Sequence, residues 1–177
     1  MFKYLNLKKK QLRRQFYEKR VRRKAAYIKG RIWCNKKVKV SENTYLGDNV
    51  CFDGAQLGGE GKITIGDNFH AATGLTIVSS WHDYEGKKLP FDEGWISKDV
   101  TIGDNVWIGE DVLILGGAEI GDGAVIQARS VVTGKIPALA IAGGHPARVF
   151  SYRDEEHYKK LADAKEWHSY SWNNYMT

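Results

Sequence analysis

The sequence predicts a mainly β protein: a parallel β-helix of about five coils with an extruding loop, a basic N-terminal helix and a C-terminal helix. Three observations support this. An aliphatic residue returns at every sixth position from Ile102 to Val132, a period that neither a helix nor a single strand sets. A basic segment without Gly or Pro precedes the repeats. A polar segment, residues 79–99, interrupts them.

The N-terminal residues 1–37 are expected to form a basic helical segment. Their apolar residues recur at roughly helical spacing among charges: Leu5, Leu12, Phe16, Val21, Ala25 and Ile28. Residues 1–39 hold 16 Lys or Arg and one acid, whereas residues 40–177 hold 11 basic and 20 acidic residues. The first role expected of the helix is to pack its apolar stripe on the domain. The second is contact of residues 1–39 with an anionic membrane.

Residues 38–150 are expected to form the β-helix. The later array of aliphatic residues keeps a six-residue step without a slip: Ile102, Ile108, Ile114, Ile120, Ile126 and Val132. An earlier, looser array has the same step on either side of a one-residue phase shift: Val40, Leu46 and Phe52, then Ile65, Ala71 and Ile77. Gly-Asp-Asn and Gly-Asp-Gly sequences supply turns. One strand and one turn per hexad describe one side of a triangular solenoid, so about 18 residues close a coil.

The two remaining segments differ from the repeats. Residues 79–99 break the period, and a polar loop extruded from a rigid solenoid is a common place for function. Residues 151–177 are expected to contain a C-terminal helix with Leu161 and Trp167 on its packing face.

Composition narrows the cellular setting. No apolar run approaches the roughly 20 residues of a membrane span, and the N-terminus lacks the apolar core of a secretion signal. Cys34 and Cys51 show no zinc-binding spacing. A reduced, cytoplasmic protein is expected, with peripheral contact at the inner face of a membrane as a second expectation. Nucleic acid is not an expected partner, because the basic segment lacks any motif that reads it.

Three sequence motifs carry a family resemblance. Trp-Ile-Gly at 107–109, SVVTGKIP at 130–137 and AGGHPARV at 142–149, together with the hexads, resemble the hexapeptide-repeat acyltransferases. Within that family the chain is most similar to bacterial sugar and polysaccharide O-acetyltransferases. The resemblance implies a left-handed β-helix, acetyl-CoA as co-substrate and no required metal. It also implies a homotrimer with active sites between subunits, acting on a saccharide in surface polysaccharide biosynthesis.

The same resemblance assigns roles to residues. His82 matches the family's catalytic His and is expected to take the proton from the acceptor hydroxyl in direct transfer. The positions implied for acetyl-CoA binding are Trp107, Glu110, Ala128, Arg129, Thr133, Lys135 and Arg148. Acceptor contacts are expected from Asp53, Trp81 and Asp83. The chain departs from the family pattern at Gln127 and Arg129, which replace small residues, and at Gly134, which stands where Lys is common.

Several functions remain open at this point. Besides O-acetyl transfer to a sugar, the chain could N-acetylate a nucleotide-linked amino sugar or acetylate a xenobiotic such as chloramphenicol. Segment 83–99 is shorter than the loop of the antibiotic-modifying relatives, which disfavours the last option. A zinc enzyme on the same solenoid would need a close pair of His, and His70 and His82 are twelve residues apart. A purely structural solenoid would not explain His82 or the closing AGGHPAR turn.

Overall fold

The computed structural model describes residues 2–168, with side chains from residue 6 onward. Helix α1 (Phe2–Lys24) precedes a β-solenoid with three faces, and helix α2 (Glu155–Asp163) follows it. Face A contains β1 (Tyr27–Ile28), β4 (Thr44–Leu46), β7 (Ile63–Ile65), β12 (Val100–Ile102), β15 (Glu119–Ile120) and β18 (Lys135–Ile136). Face B contains β2 (Ile32–Cys34), β5 (Val50–Phe52), β8 (His70–Ala71), β13 (Trp107–Ile108), β16 (Val125–Ile126), β19 (Ala140–Gly144) and the antiparallel β20 (Ala147–Tyr152). Face C contains β3 (Val38–Lys39), β6 (Ala55–Gly58), β9 (Leu75–Val78), β14 (Leu113–Leu115) and β17 (Val131–Val132).

The predicted six-residue step places one side chain per strand inside the solenoid. Strands of successive coils pair in parallel so that these inward residues stack directly, as Ile102 does between Ile65 and Ile120. The inward aliphatic residues are buried and form one continuous core. Leu46 pairs with Ile65, which confirms the one-residue phase shift that the sequence predicts before Ile65. The predicted mainly β, parallel solenoid fold is therefore confirmed.

The coils begin earlier than the sequence predicts. Strands start at Tyr27, and the six-residue step runs back from Leu46 through Val40 and Cys34 to Ile28. Cys34 is fully buried in an inward position, where the repeat pattern leads one to expect an aliphatic residue. Faces A and B therefore each stack six parallel strands, which gives about six coils in place of about five.

Hydrogen bonds from coil to coil join the turns between faces A and B. One carboxylate per coil accepts a backbone N–H from the preceding coil at 2.6–2.8 Å: Asp48, Asp67, Asp104 and Asp122. The next residue in three of these turns is an Asn with positive φ, a conformation that Asn tolerates better than most residues. These Asn side chains donate along the stack from Asn49 to Asn68 to Asn105, and Asn105 donates to the Tyr158 hydroxyl of α2.

The polar segment after β9 forms a β-hairpin. Strands β10 (Ser80–His82) and β11 (Trp95–Ser97) pair antiparallel and project from the corner between faces C and A, called corner CA. At the base of the hairpin the Lys98 N–H donates to the Ser79 carbonyl at 2.9 Å. The chain then re-enters face A at Val100, opposite Ile63.

Helices α1 and α2 lie against the solenoid. Helix α1 contacts β2 and β3. The segment after the coils, which the sequence suggests is a turn followed by a helix, first continues as β20. Asp154 caps α2 by accepting the His157 N–H at 2.6 Å. Of the predicted C-terminal region, residues 169–177 lie outside the described residues. Over residues 2–168, no helix combines the length and apolar content that spanning a bilayer requires.

Candidate active site

The β10–β11 hairpin positions His82. His82 pairs with Trp95 across the hairpin, and Trp81 pairs with Ile96. The Trp81 ring packs against Gly116 in the next coil, where a Cβ would come within 2.9 Å of the ring. The Lys98 ammonium lies 5.8 Å from the centre of the same ring. Trp81 therefore holds the base of the hairpin against corner CA, and its role in the structure is packing.

Two aromatic rings enclose the His82 imidazole. The Phe91 ring stacks on it, with 3.9 Å between centroids and 10° between planes. The Trp95 ring lies 4.0 Å away, tilted by 36°. Nδ1 of His82 is buried and has no hydrogen-bond partner among residues 2–168. Among these residues, the orientation of the ring is therefore set by aromatic contacts and not by a hydrogen bond at Nδ1.

Two loop carboxylates stabilise turns. Asp83 accepts the Glu85 N–H at 3.0 Å, and its own N–H donates to Gly94. Asp92 accepts the N–H groups of Lys87 and Gly94 at 2.8 and 2.7 Å. These backbone hydrogen bonds lower the pKa of Asp92 below its ordinary value. Both carboxylates thus shape the loop beside His82.

Asp53 lies away from the hairpin. It occupies the corner between faces B and C, called corner BC, in the turn from β5 to β6. Its carboxylate accepts from the Asn35 amide, and the Asn35 oxygen accepts the Trp33 indole N–H at 2.6 Å. Within one chain, Asp53 and His82 therefore lie at different corners of the solenoid.

The positions implied for acetyl-CoA binding also divide between corners. Glu110, Ala128 and Arg129 stack at corner BC, where the Arg129 N–H donates to the Glu110 carbonyl at 2.7 Å. Arg129 has a φ of 59°, and its Nε lies 3.9 Å from the Asp111 carboxylate. Thr133 lies at corner CA, in the turn from β17 to β18.

The remaining three of these positions are on strands. Trp107 points outward from face B and is 52% exposed. Lys135 on face A lies 3.4 Å from the Glu119 carboxylate. Arg148 near the start of β20 is exposed and donates to the Ala147 carbonyl at 3.1 Å. Face C thus lies between the candidates at corner BC and those at corner CA, whereas Trp107, Lys135 and Arg148 lie on strands of faces A and B.

A groove of about 490 Å³ lies elsewhere, between α2 and face B. Its walls include His70, Trp107, Tyr158 and the two predicted packing residues, Leu161 and Trp167. Leu161 lies on α2, but Trp167 follows the end of the helix and is not on its face as predicted. His82 is not among them, so the candidate general base lies outside this groove. In the described part of the chain, no cluster of three or more His, Cys, Asp or Glu side chains could hold a metal ion.

Phe91 is the site residue that the sequence does not single out. It lies nine positions after His82, and only the conformation of the loop returns it to the imidazole. A lone Phe in a polar loop gives no spacing signal that would indicate this contact.

Comparison with known proteins agrees with the architecture. Residues 99–134 match the family model described as bacterial transferase hexapeptide (six repeats). The galactoside O-acetyltransferase of Escherichia coli (strain K12) is 36% identical over 101 residues, 55% of this chain and 49% of the relative. A chloramphenicol acetyltransferase of Morganella morganii is 43% identical over 75 residues, 42% of this chain and 34% of the relative.

Solved structures extend the match. A galactoside acetyltransferase in complex with coenzyme A superposes with a TM-score of 0.66 at 32% identity, over 75% of this chain and 68% of that one. The chain spans about half the length of the first curated relatives that it matches. The repeats, their register and these similarities together show that the chain belongs to the hexapeptide-repeat transferase family.

Proposed function

We propose that the protein transfers an acetyl group from acetyl-CoA to a hydroxyl of a saccharide, with His82 as the general base. The observation that carries the proposal is the half-buried His82 imidazole, held between Phe91 and Trp95 on a hairpin of a hexapeptide-repeat solenoid. The similarity to a galactoside O-acetyltransferase and to a coenzyme A complex supports the choice of substrates. The setting proposed is surface polysaccharide biosynthesis.

The proposed reaction needs one base and one acyl donor. The imidazole takes the proton of the acceptor hydroxyl while the hydroxyl oxygen bonds to the thioester carbonyl carbon. The carbon–sulfur bond then breaks, and the imidazolium returns the proton to the sulfur of coenzyme A. No acetyl-enzyme forms. Because Nδ1 is buried, Nε2 is the nitrogen that we assign to the acceptor.

The donor is proposed to bind along exposed groups at the two corners and on strands of faces A and B. Arg129 and Lys135, whose side chains are 85% and 77% exposed, and Arg148 supply positive charge suited to the phosphates of acetyl-CoA. Backbone groups of Glu110 and Ala128, the Thr133 hydroxyl and the Trp107 ring are proposed to line the rest of the path. Asp53, Trp81 and Asp83 stay candidates for acceptor binding, although Trp81 and Asp83 also have the structural contacts described above.

A homotrimer with active sites between subunits is proposed for two reasons. The candidate residues lie on two corners separated by face C, so a complete site needs one corner from each of two chains. Face C also presents outward apolar side chains that are only half-buried: Val78, Leu113 and Leu115. The outward residues of face A are mostly polar: Tyr45, Thr64, Thr101, Glu119 and Lys135. A three-sided solenoid can close a three-fold assembly through such a face.

The experiment is thiol release from acetyl-CoA across a panel of sugars, nucleotide-linked amino sugars and chloramphenicol. Wild type is expected to act on a sugar and give an ester that mild base hydrolyses. His82→Ala should lower the rate by roughly 10²–10⁴, with acetyl-CoA affinity retained. His157→Ala, which changes an exposed His on α2, is the matched control. Normal turnover by His82→Ala would remove this residue from the mechanism.

A second candidate is acetylation of a xenobiotic hydroxyl. The similarity to a chloramphenicol acetyltransferase favours it. Turnover confined to chloramphenicol would select this function, whereas base-stable product from amino sugars alone would select N-acetyl transfer.

A further inference from the structure

Helix α1 packs with an unexpected face inward. The sequence predicts that its apolar stripe packs on the domain. Among the stripe residues of α1 from residue 6 onward, only Val21 is buried, at 1% exposure. Leu12 and Phe16 are 66% and 56% exposed. The prediction of one packed stripe is therefore wrong for the middle of the helix.

Charged residues occupy the inward face instead. Arg14 and Glu18 form an ion pair at 3.0 Å, with side chains only 11% and 19% exposed. The Arg14 guanidinium also lies 3.5 Å over the ring of Trp33. Burial raises the pKa of Glu18, although the nearby Arg14 opposes this shift. The helix is held further by Arg22, which donates to the Gly30 carbonyl at 2.9 Å.

The opposite face combines apolar and cationic residues. Leu12 and Phe16 are one turn apart, and five exposed cations lie within about 60° of the line midway between them around the helix axis. These cations are Lys8, Lys9, Lys19, Arg20 and Arg23. We call these seven residues the outer face of α1. It contains no acidic residue.

We infer that the outer face of α1 docks the protein on a bilayer that contains anionic lipid. Leu12 and Phe16 enter the boundary between headgroups and acyl chains, and the five cations contact the headgroups. Such a surface complements both the charge and the exposed apolar side chains. A two-fold contact with the α1 of a second copy would instead oppose two cationic faces. The inference is independent of the proposed acetyl transfer, which uses other residues.

The test is co-sedimentation of the full-length protein with vesicles. One set is phosphatidylcholine alone, and the other contains about one-third phosphatidylglycerol. Wild type is expected to bind the anionic vesicles and to lose about tenfold or more in partition coefficient at high salt. Leu12→Ser with Phe16→Ser should lower partitioning about tenfold or more. Lys19→Gln with Arg23→Gln should lower it to a similar extent.

Matched controls change similar residues elsewhere. Phe150→Ser with Tyr152→Ser removes two aromatic rings that are 57% and 58% exposed on β20. Lys159→Gln with Lys160→Gln removes two exposed cations of α2. Both controls should bind vesicles like wild type.

Three results would overturn the inference. One is failure of wild type to bind anionic vesicles, or equal binding to both vesicle types. Another is unchanged binding by the Leu12/Phe16 variant. The third is a smaller assembly of that variant in light scattering, which would show that the outer face contacts another copy. Thiol release and urea unfolding of each variant separate loss of docking from loss of folding.

Discussion

The imidazole of His82 and the ring of Phe91 lie nearly parallel, with 3.9 Å between their centroids. Phe91 follows the turn that Asp83 stabilises and lies within the segment from Lys87 to Gly94 that Asp92 holds by two hydrogen bonds. The conformation of the loop and the orientation of His82, the proposed general base, are therefore physically linked.

Removing the Phe91 ring should disturb that orientation. We expect Phe91→Ala to lower kcat about tenfold, since stacked aromatic pairs contribute about 0.5–1.5 kcal/mol. The KM for acetyl-CoA should stay unchanged, and Phe91→Tyr should restore most of kcat. Steady-state thiol release measures both constants. Leu89→Ala, at a 95% exposed position of the same loop, serves as the control. Equal effects at both positions would argue against a specific role for the stacking.

Gly116 lies against the base of the β10–β11 hairpin. A Cβ here would come within 2.9 Å of the Trp81 ring and 3.0 Å of the Lys98 carbonyl oxygen. Gly116→Ala should therefore push the hairpin outward and lower kcat about tenfold or more, because small misplacements of a catalytic group are costly. Gly58→Ala on the same face meets nothing within 4 Å and should leave kcat unchanged. If both variants behave alike, the contact between Trp81 and Gly116 does not position His82.

Acid should destabilise the protein partly through His70. Burial lowers the pKa of His70 below 6.5, and His168 adds to this, while Asp53 opposes it. The unfolded chain therefore takes up this proton at a higher pH than the folded chain. The stability that neutral His70 contributes is complete above pH 6.5 and is lost as the pH falls toward the folded value.

The matching measurement is the urea midpoint between pH 7 and pH 5 at fixed protein concentration. His70→Gln should reduce the fall of this midpoint, whereas His157→Gln at an exposed position should not. An unchanged fall in His70→Gln would mean that other groups carry the acid sensitivity.

The assembly can be tested on face C. Leu113→Lys places a charge among the outward apolar residues and should reduce the mass in light scattering from three chains to one. Thiol release should fall with it, because each proposed site uses two corners. Thr101→Lys changes an exposed outward position of face A and should leave the mass unchanged. A fully active monomeric wild type would contradict the trimer.

The sequence predicts the solenoid well because its core has one repeating requirement. Each inward position needs an apolar residue, and the six-residue step supplies it from Val40 onward. The first coil could not be predicted in this way, because Cys34 stands in place of an aliphatic residue at an inward position, between basic residues. The face with which α1 packs also could not be predicted. The inward face of a packed helix is expected to be apolar, whereas α1 turns the charged pair Arg14 and Glu18 inward.

The candidate site also could be predicted only in part. His82 is identified from its place in the resemblance, and the structure puts it on a hairpin at the expected interruption. Its contact with Phe91 depends on how the intervening loop closes, which no periodic pattern encodes. The separation of candidate residues onto corners BC and CA follows from the number of residues per coil, since Glu110 and Ala128 are 18 residues apart and Thr133 lies in the next turn.

The base of the hairpin has a consequence for how the molecule can change. Ser79 and Lys98 meet through one backbone hydrogen bond, and Val100 resumes the pairing with Ile63 as though nothing had been inserted. The coils therefore constrain where the excursion starts and ends, but neither its length nor its sequence. Under the proposed function, exchange of this one segment would change acceptor preference while the coils that carry the proposed donor-binding residues stay unchanged.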